Sequence, residues 1–242
     1  MLVKFACLEH TMKTIGLIGG MSWESSLEYY RLINQIVKER LGGFHSARCI
    51  LFSVDFAEIE TWQREGKWSK SALMLGNAAQ SLECAGADFI VLCTNTMHKV
   101  AGEIQAQVQI PLLHIADATA QSVRKAGFQR VGLLGTRFTM EESFYKDILV
   151  EKYGLKVIIP DPAERQIVDR VIFDELVVGK IRPASQRKYL KIISHMVENG
   201  AEGVILGCTE IGSLVQENDC SAPLFDTTRI HAEAAVEYAL AE

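Results

Sequence analysis

Short apolar runs alternate with longer stretches in which apolar residues recur every three or four positions, and this continues from Met12 onward. The short runs predict buried strands and the longer stretches predict helices, so the chain reads as βαβ units around mainly parallel sheets. Thr14 to Ile18 is the first predicted strand and ends at Gly19-Gly20. Ser22 then caps a helix to about Leu41, with Gly42-Gly43 as its stop. Further strands are predicted at Cys49 to Val54, Phe89 to Cys93, Val131 to Leu134, Val157 to Ile159, Val204 to Leu206 and Leu224 to Phe225. Helices are predicted near Trp68 to Cys84, Ala116 to Ala126, Ala163 to Val178, Ala184 to Val197 and Thr228 to Leu240. Thr139 and Glu142 have the spacing of a capping box. Thr61-Trp62-Gln63-Arg64 reads as a polar-aromatic stretch between elements.

The pattern repeats. Ile15-Gly16-Leu17-Ile18-Gly19-Gly20 matches Val131-Gly132-Leu133-Leu134-Gly135-Thr136, and the segment from Ala85 to Asn95 matches that from Asn199 to Thr209, both at an offset of about 115 residues. Two similar α/β domains with an interdomain cleft are therefore expected. Residues 12–113 plus 223–242 form one, residues 114–222 form the other, and residues 1–11 are a short extension without the features of a signal peptide. Aligning Gly86 with Gly200 sets Thr94 opposite Cys208. Both then stand at the carboxyl ends of equivalent strands, the edge at which open α/β sheets bind ligands.

Two proton-transfer groups facing one carbon from opposite sides can remove a proton from one face and return one to the other, as a two-base racemase or epimerase requires. Backbone amides at helix starts and the side chains of Asn95, Thr96, Thr136 and Thr209 are candidates to hold a substrate carboxylate. The same residues also suit plain helix caps. At a strand-to-helix junction Cys208 is expected to have a lowered pKa. Cys93 neighbours Thr94, but adjacent side chains of a strand point to opposite faces, so it reads as a buried strand residue. His98 is one helical turn beyond Thr94, where a supporting hydrogen bond is expected rather than proton transfer. Asp226-Thr227-Thr228, with His231 beyond, reads as another strand-to-helix junction.

Composition removes several classes. The net charge is −5 with no long basic run, which argues against nucleic acid as a partner. No stretch is long and apolar enough for a transmembrane helix. The six cysteines lack paired metal-ligand spacing and fit a reducing, cytoplasmic setting. Neither a spaced Gly-x-Gly-x-x-Gly nor a phosphate loop occurs, which disfavours nicotinamide and ATP, and no His-Glu-x-x-His metal motif is present.

Gly19-Gly20-Met21-Ser22-Trp23-Glu24, Cys93-Thr94-Asn95-Thr96-Met97-His98 and Gly207-Cys208-Thr209-Glu210-Ile211 resemble, in order, the signature segments of the aspartate/glutamate racemase family. The resemblance implies an amino-acid racemase that needs no pyridoxal phosphate or other cofactor, with its site between two α/β domains and usually a homodimer. It implies Cys208 and Thr94 as the acid/base pair. Met21 touches the substrate on this reading, or else packs a helix start. Gln63 reaches the ligand's side chain, or else lies in a surface loop. Glu210 orients Thr209 or meets the substrate ammonium, or else is a first-turn acid at a helix start.

The chain departs from the common family pattern at one catalytic position, where Thr94 replaces the first cysteine of a Cys-Asn-Thr segment. It is similar to a subgroup with this Thr/Cys pair, for which aspartate/glutamate or broader activity with an L preference is implied. On that reading Cys208 takes the α-proton of the L-isomer and Thr94 serves the opposite face. Arg48 and Arg165 are the positional candidates to hold a distal substrate carboxylate, and uncharged amino acids such as homoserine stay open as substrates. A related isomerase or decarboxylase on the same fold, or an amino-acid-binding protein without turnover, are the alternatives.

Overall fold

The computed structural model describes residues 12–241, so the expected extension at residues 1–11 lies outside the described residues. The first half runs β1 (Ile15–Gly19), α1 (Trp23–Leu41), β2 (Cys49–Ser53), α2 (Phe56–Arg64), α3 (Trp68–Cys84), β3 (Phe89–Leu92), α4 (Ala101–Gln105) and β4 (Leu112–Leu113). The second runs α5 (Ile115–Lys125), β5 (Arg130–Gly135), α6 (Arg137–Glu141), α7 (Ser143–Asp147), β6 (Lys156–Ile158), α8 (Pro162–Asp174), α9 (Pro183–Glu198), β7 (Gly203–Gly207), α10 (Ile211–Leu214) and β8 (Leu224–Asp226). Helix α11 (Thr227–Leu240) ends the described chain.

Each half holds a four-stranded parallel sheet with the same strand order, β2-β1-β3-β4 and β6-β5-β7-β8. The duplicated sequence thus becomes a duplicated topology. Strand residues alternate between two apolar layers, as the two-residue period of a strand requires. Ile18, Ile90 and Leu92 pack towards α3 and α4, whereas Ile15, Leu17, Phe89 and Val91 pack towards α1 and α11. The second sheet does the same, with Leu134, Val204 and Leu206 against α8 and α9, and Val131, Leu133 and Ile205 against α5.

The chain crosses between halves twice. Helix α5 packs on the second sheet directly after β4 of the first, and α11 packs on the first sheet directly after β8 of the second. The division expected at residue 223 is corrected accordingly, because hydrogen bonding of β8 to β7 keeps residues up to Asp226 with the second sheet.

Three local expectations are also corrected. The Gln63 stretch is not a connection but the end of helix α2, capped by Asp55. Thr139 and Glu142 form no capping box: Thr136 caps α6, its hydroxyl accepting from the Thr139 amide, and Glu142 follows the last turn. The helix expected from Ala163 to Val178 stops at Asp174 and continues as a 3-10 turn at Leu176–Val178. Its true start carries the reciprocal capping pair of Asp161 and Glu164.

Candidate active site

The carboxyl ends of β1, β3, β5 and β7 converge on one cavity, and all nine site residues expected from the sequence line it. Met21, Gln63, Thr94, Asn95 and Thr96 come from the first half, and Thr136, Cys208, Thr209 and Glu210 from the second. The turn after β1 is tight: a side chain at Gly20, whose φ is +92°, would stand 2.2 Å from the Val54 carbonyl oxygen. That turn brings Met21 to the cavity wall and Ser22 to the start of α1, where it caps the helix as expected.

Hydrogen bonds close the two halves over the site. Thr96 and Thr136 pair through their hydroxyls at 2.9 Å. Ser22 Oγ donates to Glu210 Oε1 at 2.8 Å, and Ser25 Oγ donates to Thr209 Oγ1. Asn95 Nδ2 donates to Thr227 Oγ1 at 3.0 Å, which leaves the buried Asn95 Oδ1 without a partner. Gln63 is likewise buried, its Nε2 2.9 Å from Met97 Sδ.

Glu210 collects three donors: Ser22 on Oε1, and both Thr209 Oγ1 at 2.8 Å and Cys208 Sγ at 3.0 Å on Oε2. Its two oxygens can accept all three bonds. The expected lowering of the Cys208 pKa is therefore corrected. Burial, then the adjacent Glu210 charge and its hydrogen bond, push the thiol well above its ordinary value. Helix α10 begins only at Ile211 and has four residues, too little dipole to oppose a carboxylate in contact.

Thr94 is held from behind. The Ile115 amide donates to His98 Nε2 at 3.2 Å, so His98 Nδ1 carries the ring proton and donates to the Thr94 carbonyl at 2.7 Å. Burial first, then His114 and His231, hold His98 well below the usual imidazole range, and it stays neutral. This is the supporting role expected of it. Cys93 lies fully buried in the apolar layer beneath α1 and α11, and burial pushes its thiol far up.

The positional candidates for a distal carboxylate do not reach the site. Arg48 precedes β2 at the far end of the sheet, exposed, and points to the Met12 carbonyl. Arg165 is held by Glu141 and the Pro160 carbonyl, each at 2.8 Å. The remaining wall is one the sequence reading missed: Phe56, Ile172, Phe173 and Val177. Phe56 opens α2, and the others lie on α8 and the turn after it, elements distant in sequence from the motifs. Among the described residues no lysine or arginine lines the cavity, and no trio of His, Cys, Asp or Glu is grouped to hold a metal.

Comparison with known proteins agrees with this architecture. The family model described as Asp/Glu/Hydantoin racemase matches residues 18–235. The broad specificity amino-acid racemase RacX of Bacillus subtilis is 27% identical over 180 residues, 71% of this chain and 73% of that protein. A crystal structure of a candidate Asp/Glu racemase from Yersinia pestis is 55% identical with a TM-score of 0.89, covering 95% of this chain and all of the other. An aspartate racemase homologue from Pyrococcus horikoshii is 37% identical with a TM-score of 0.82, covering 94% and 99%. Family match, shared two-sheet architecture and site residues in one cleft lead to a single conclusion: the chain belongs to the Asp/Glu/hydantoin racemase family and is an isomerase of the racemase type.

Proposed function

We propose that the protein racemises free amino acids with uncharged side chains, with Cys208 serving one face of the α-carbon and Thr94 the other. The observation that carries this reading is the cavity wall. Cys208 and Thr94 enter it from opposite halves, while Phe56, Ile172, Phe173 and Val177 present apolar surface with no basic side chain beside them. A distal carboxylate there would be desolvated with no cation beside it, which is unfavourable by several kcal/mol. RacX, the relative named above, is described as broad in specificity.

The chemistry follows from the donors. The substrate ammonium meets the unpartnered Asn95 Oδ1, and the hydroxyls of Thr96, Thr136 and Thr209 are offered to its carboxylate. Cys208 is a thiol hydrogen-bonded to Glu210, which is placed to accept its proton. An ammonium in the cavity acts on Cys208 in the opposite sense to Glu210 and favours the thiolate. The thiolate then takes the α-proton, and Thr94 supplies the other face. Cofactor independence is part of the proposal, since an imine-forming cofactor needs a lysine and none lines this cavity.

Two further parts of the proposal concern the setting. Trp23, Leu27 and Tyr30 form an exposed apolar row along α1, which supports a homodimer through this face. Leu27→Glu is then expected to yield monomers in sedimentation, and an unchanged sedimentation coefficient would exclude the face. The described cysteines are all free, in keeping with a reducing cytoplasm. No helix among the described residues is long and apolar enough to cross a membrane.

The experiment is incubation with L-homoserine, L-methionine, L-aspartate and L-glutamate in heavy water, following the α-proton by NMR and chirality by chromatography. Exchange with formation of the D-isomer, fastest for the uncharged pair and abolished in Cys208→Ala, is expected. Binding of an amino acid with no exchange in any case would make the protein a binder rather than a racemase.

A further inference from the structure

Thr209 has two fronts. On one side it lines the reaction cavity; on the other it lines a second cavity of about 700 Å³ between α1, α10 and α11. The second cavity has polar walls that include Glu28, Arg31 and Asp226, and exposed residues such as Gln216 and Arg229 leave it open to water. The Thr209 hydroxyl donates to Glu210 Oε2, the same oxygen that accepts from Cys208 Sγ. Ser25 Oγ donates to Thr209 Oγ1 and so fills one lone pair of that oxygen. The single Thr209 proton then has two destinations, Glu210 and water of the second cavity.

Thr94, Cys208 and Glu210 are each at most 8% exposed, so a bound amino acid separates Cys208 from bulk water on the substrate side.

We propose that Glu210 and Thr209 form a proton wire joining Cys208 to water in the second cavity while the cleft is closed on substrate. The inference rests on the acid/base reading of Cys208. When the Cys208 thiolate takes the α-proton, the C–H bond breaks, an S–H bond forms and the electron pair stays on the α-carbon. Glu210 has by then released, through Thr209, the proton it took when the thiolate formed, so the S–H proton passes to Glu210 Oε2. The Glu210 proton then moves to Thr209 Oγ1 as the Thr209 proton leaves for a cavity water. The reverse sequence brings a solvent proton to Glu210 and on to the thiolate. One proton leaves and one enters, with no redox partner involved.

The consequence is isotopic. A thiol sealed from solvent returns the substrate's own proton, whereas a thiol on a wire returns a solvent deuteron. L-homoserine is incubated in heavy water to low conversion, with L-aspartate run in parallel. Recovered L-isomer and newly formed D-isomer are then separated and their α-deuterium measured. In the unmodified protein the recovered L-isomer is expected to carry deuterium to an extent comparable with the amount of D-isomer formed. In Thr209→Val the ratio of deuterated L-isomer to D-isomer is expected to fall by about tenfold or more, and Thr209→Ser restores it. The ratio is read within one sample and does not depend on how active the variant is. Ser25→Ala leaves the cavity lining intact and is expected to lower the ratio several-fold by freeing the Thr209 hydroxyl to turn. Deuterated D-isomer beside unlabelled L-isomer in the unmodified protein would overturn the wire and leave the racemase reading standing. An unchanged ratio in both Thr209→Val and Ser25→Ala would overturn it as well. No exchange and no D-isomer from either amino acid would overturn the racemase reading and the wire together.

Discussion

Replacing Glu210 by glutamine tests the electrostatics of the site most directly, because it removes one charge and keeps the shape. The carboxylate oxygen lies 3.0 Å from Cys208 Sγ, and at an effective dielectric constant of about 20 a unit charge at that distance opposes a thiolate by about 5 kcal/mol. That figure is a ceiling. The glutamine carbonyl still accepts from the thiol, and burial, the largest cause of the upward shift, is untouched. The expected result is a Cys208 pKa that moves down towards the ordinary thiol range yet stays above it, because burial still raises it. The assay is alkylation by iodoacetamide across pH, with the Cys208 peptide quantified by mass spectrometry so that the other cysteines do not interfere. Turnover is expected to fall by about a hundredfold, because the glutamine carbonyl accepts the hydrogen bond but cannot take the proton. A Cys208 titration that stays in place or moves upward in Glu210→Gln would refute the reasoning.

Other consequences follow from the same structure. Val177→Arg places a cation on the apolar wall and should lower KM for L-aspartate relative to L-homoserine; an unchanged ratio would remove Val177 from the specificity wall. Thr96→Val breaks the 2.9 Å link to Thr136 and should lower the unfolding free energy by about 1 kcal/mol, read from urea midpoints; a midpoint at or above that of the unmodified protein would show that the link contributes nothing. His114 and His231 are held down to about 4 by burial and are neutral when folded, so between that value and about 6.5 the unfolded chain binds more protons. Stability is expected to fall as pH drops through this window, by between about 1 and 2 kcal/mol per pH unit for each histidine. Asp226, held above the usual carboxylate range by burial, offsets part of this near the lower end. A urea midpoint that rises on going from about pH 7 to about pH 5 would contradict that sign.

The sheets are legible in the sequence because their central strands, β1, β3, β5 and β7, are buried on both faces and read as unbroken apolar runs. The cleft is legible because a repeated strand must end at an equivalent place, which puts Thr94 and Cys208 on the same edge. Helix α2 is not legible, since only Ile59 and Gln63 of its nine residues are buried and so short a stripe has no period to detect. The apolar wall escapes for another reason: Ile172, Phe173 and Val177 belong to α8 and the turn after it, and only the tertiary fold carries them to the motifs. The Thr139 and Glu142 spacing misleads because Thr136 stands three residues before Thr139 and competes for the cap. The direction of the Cys208 shift depends on where the Glu210 carboxylate turns, and no spacing rule fixes that.

The unequal pair at the site constrains what an L preference can mean. Enantiomers have equal free energies in water, so the equilibrium constant is one and kcat/KM must be equal in the two directions, whatever the acid and base. A thiol beside a carboxylate on one face and a hydroxyl on the other therefore cannot favour accumulation of either isomer. The asymmetry acts on bound states. The face served by Cys208 has Glu210 and Thr209 in contact with the thiol, whereas His98 touches only the backbone carbonyl of Thr94 and gives the hydroxyl no basic partner. An interaction that stabilises one bound isomer without stabilising the shared transition state lowers KM and kcat together in that direction. A preference should thus appear as kcat and KM that differ between L and D by the same factor, with their ratio preserved. Initial rates measured from both isomers decide the point, and unequal kcat/KM values would mean that the measured reaction is not a simple racemisation.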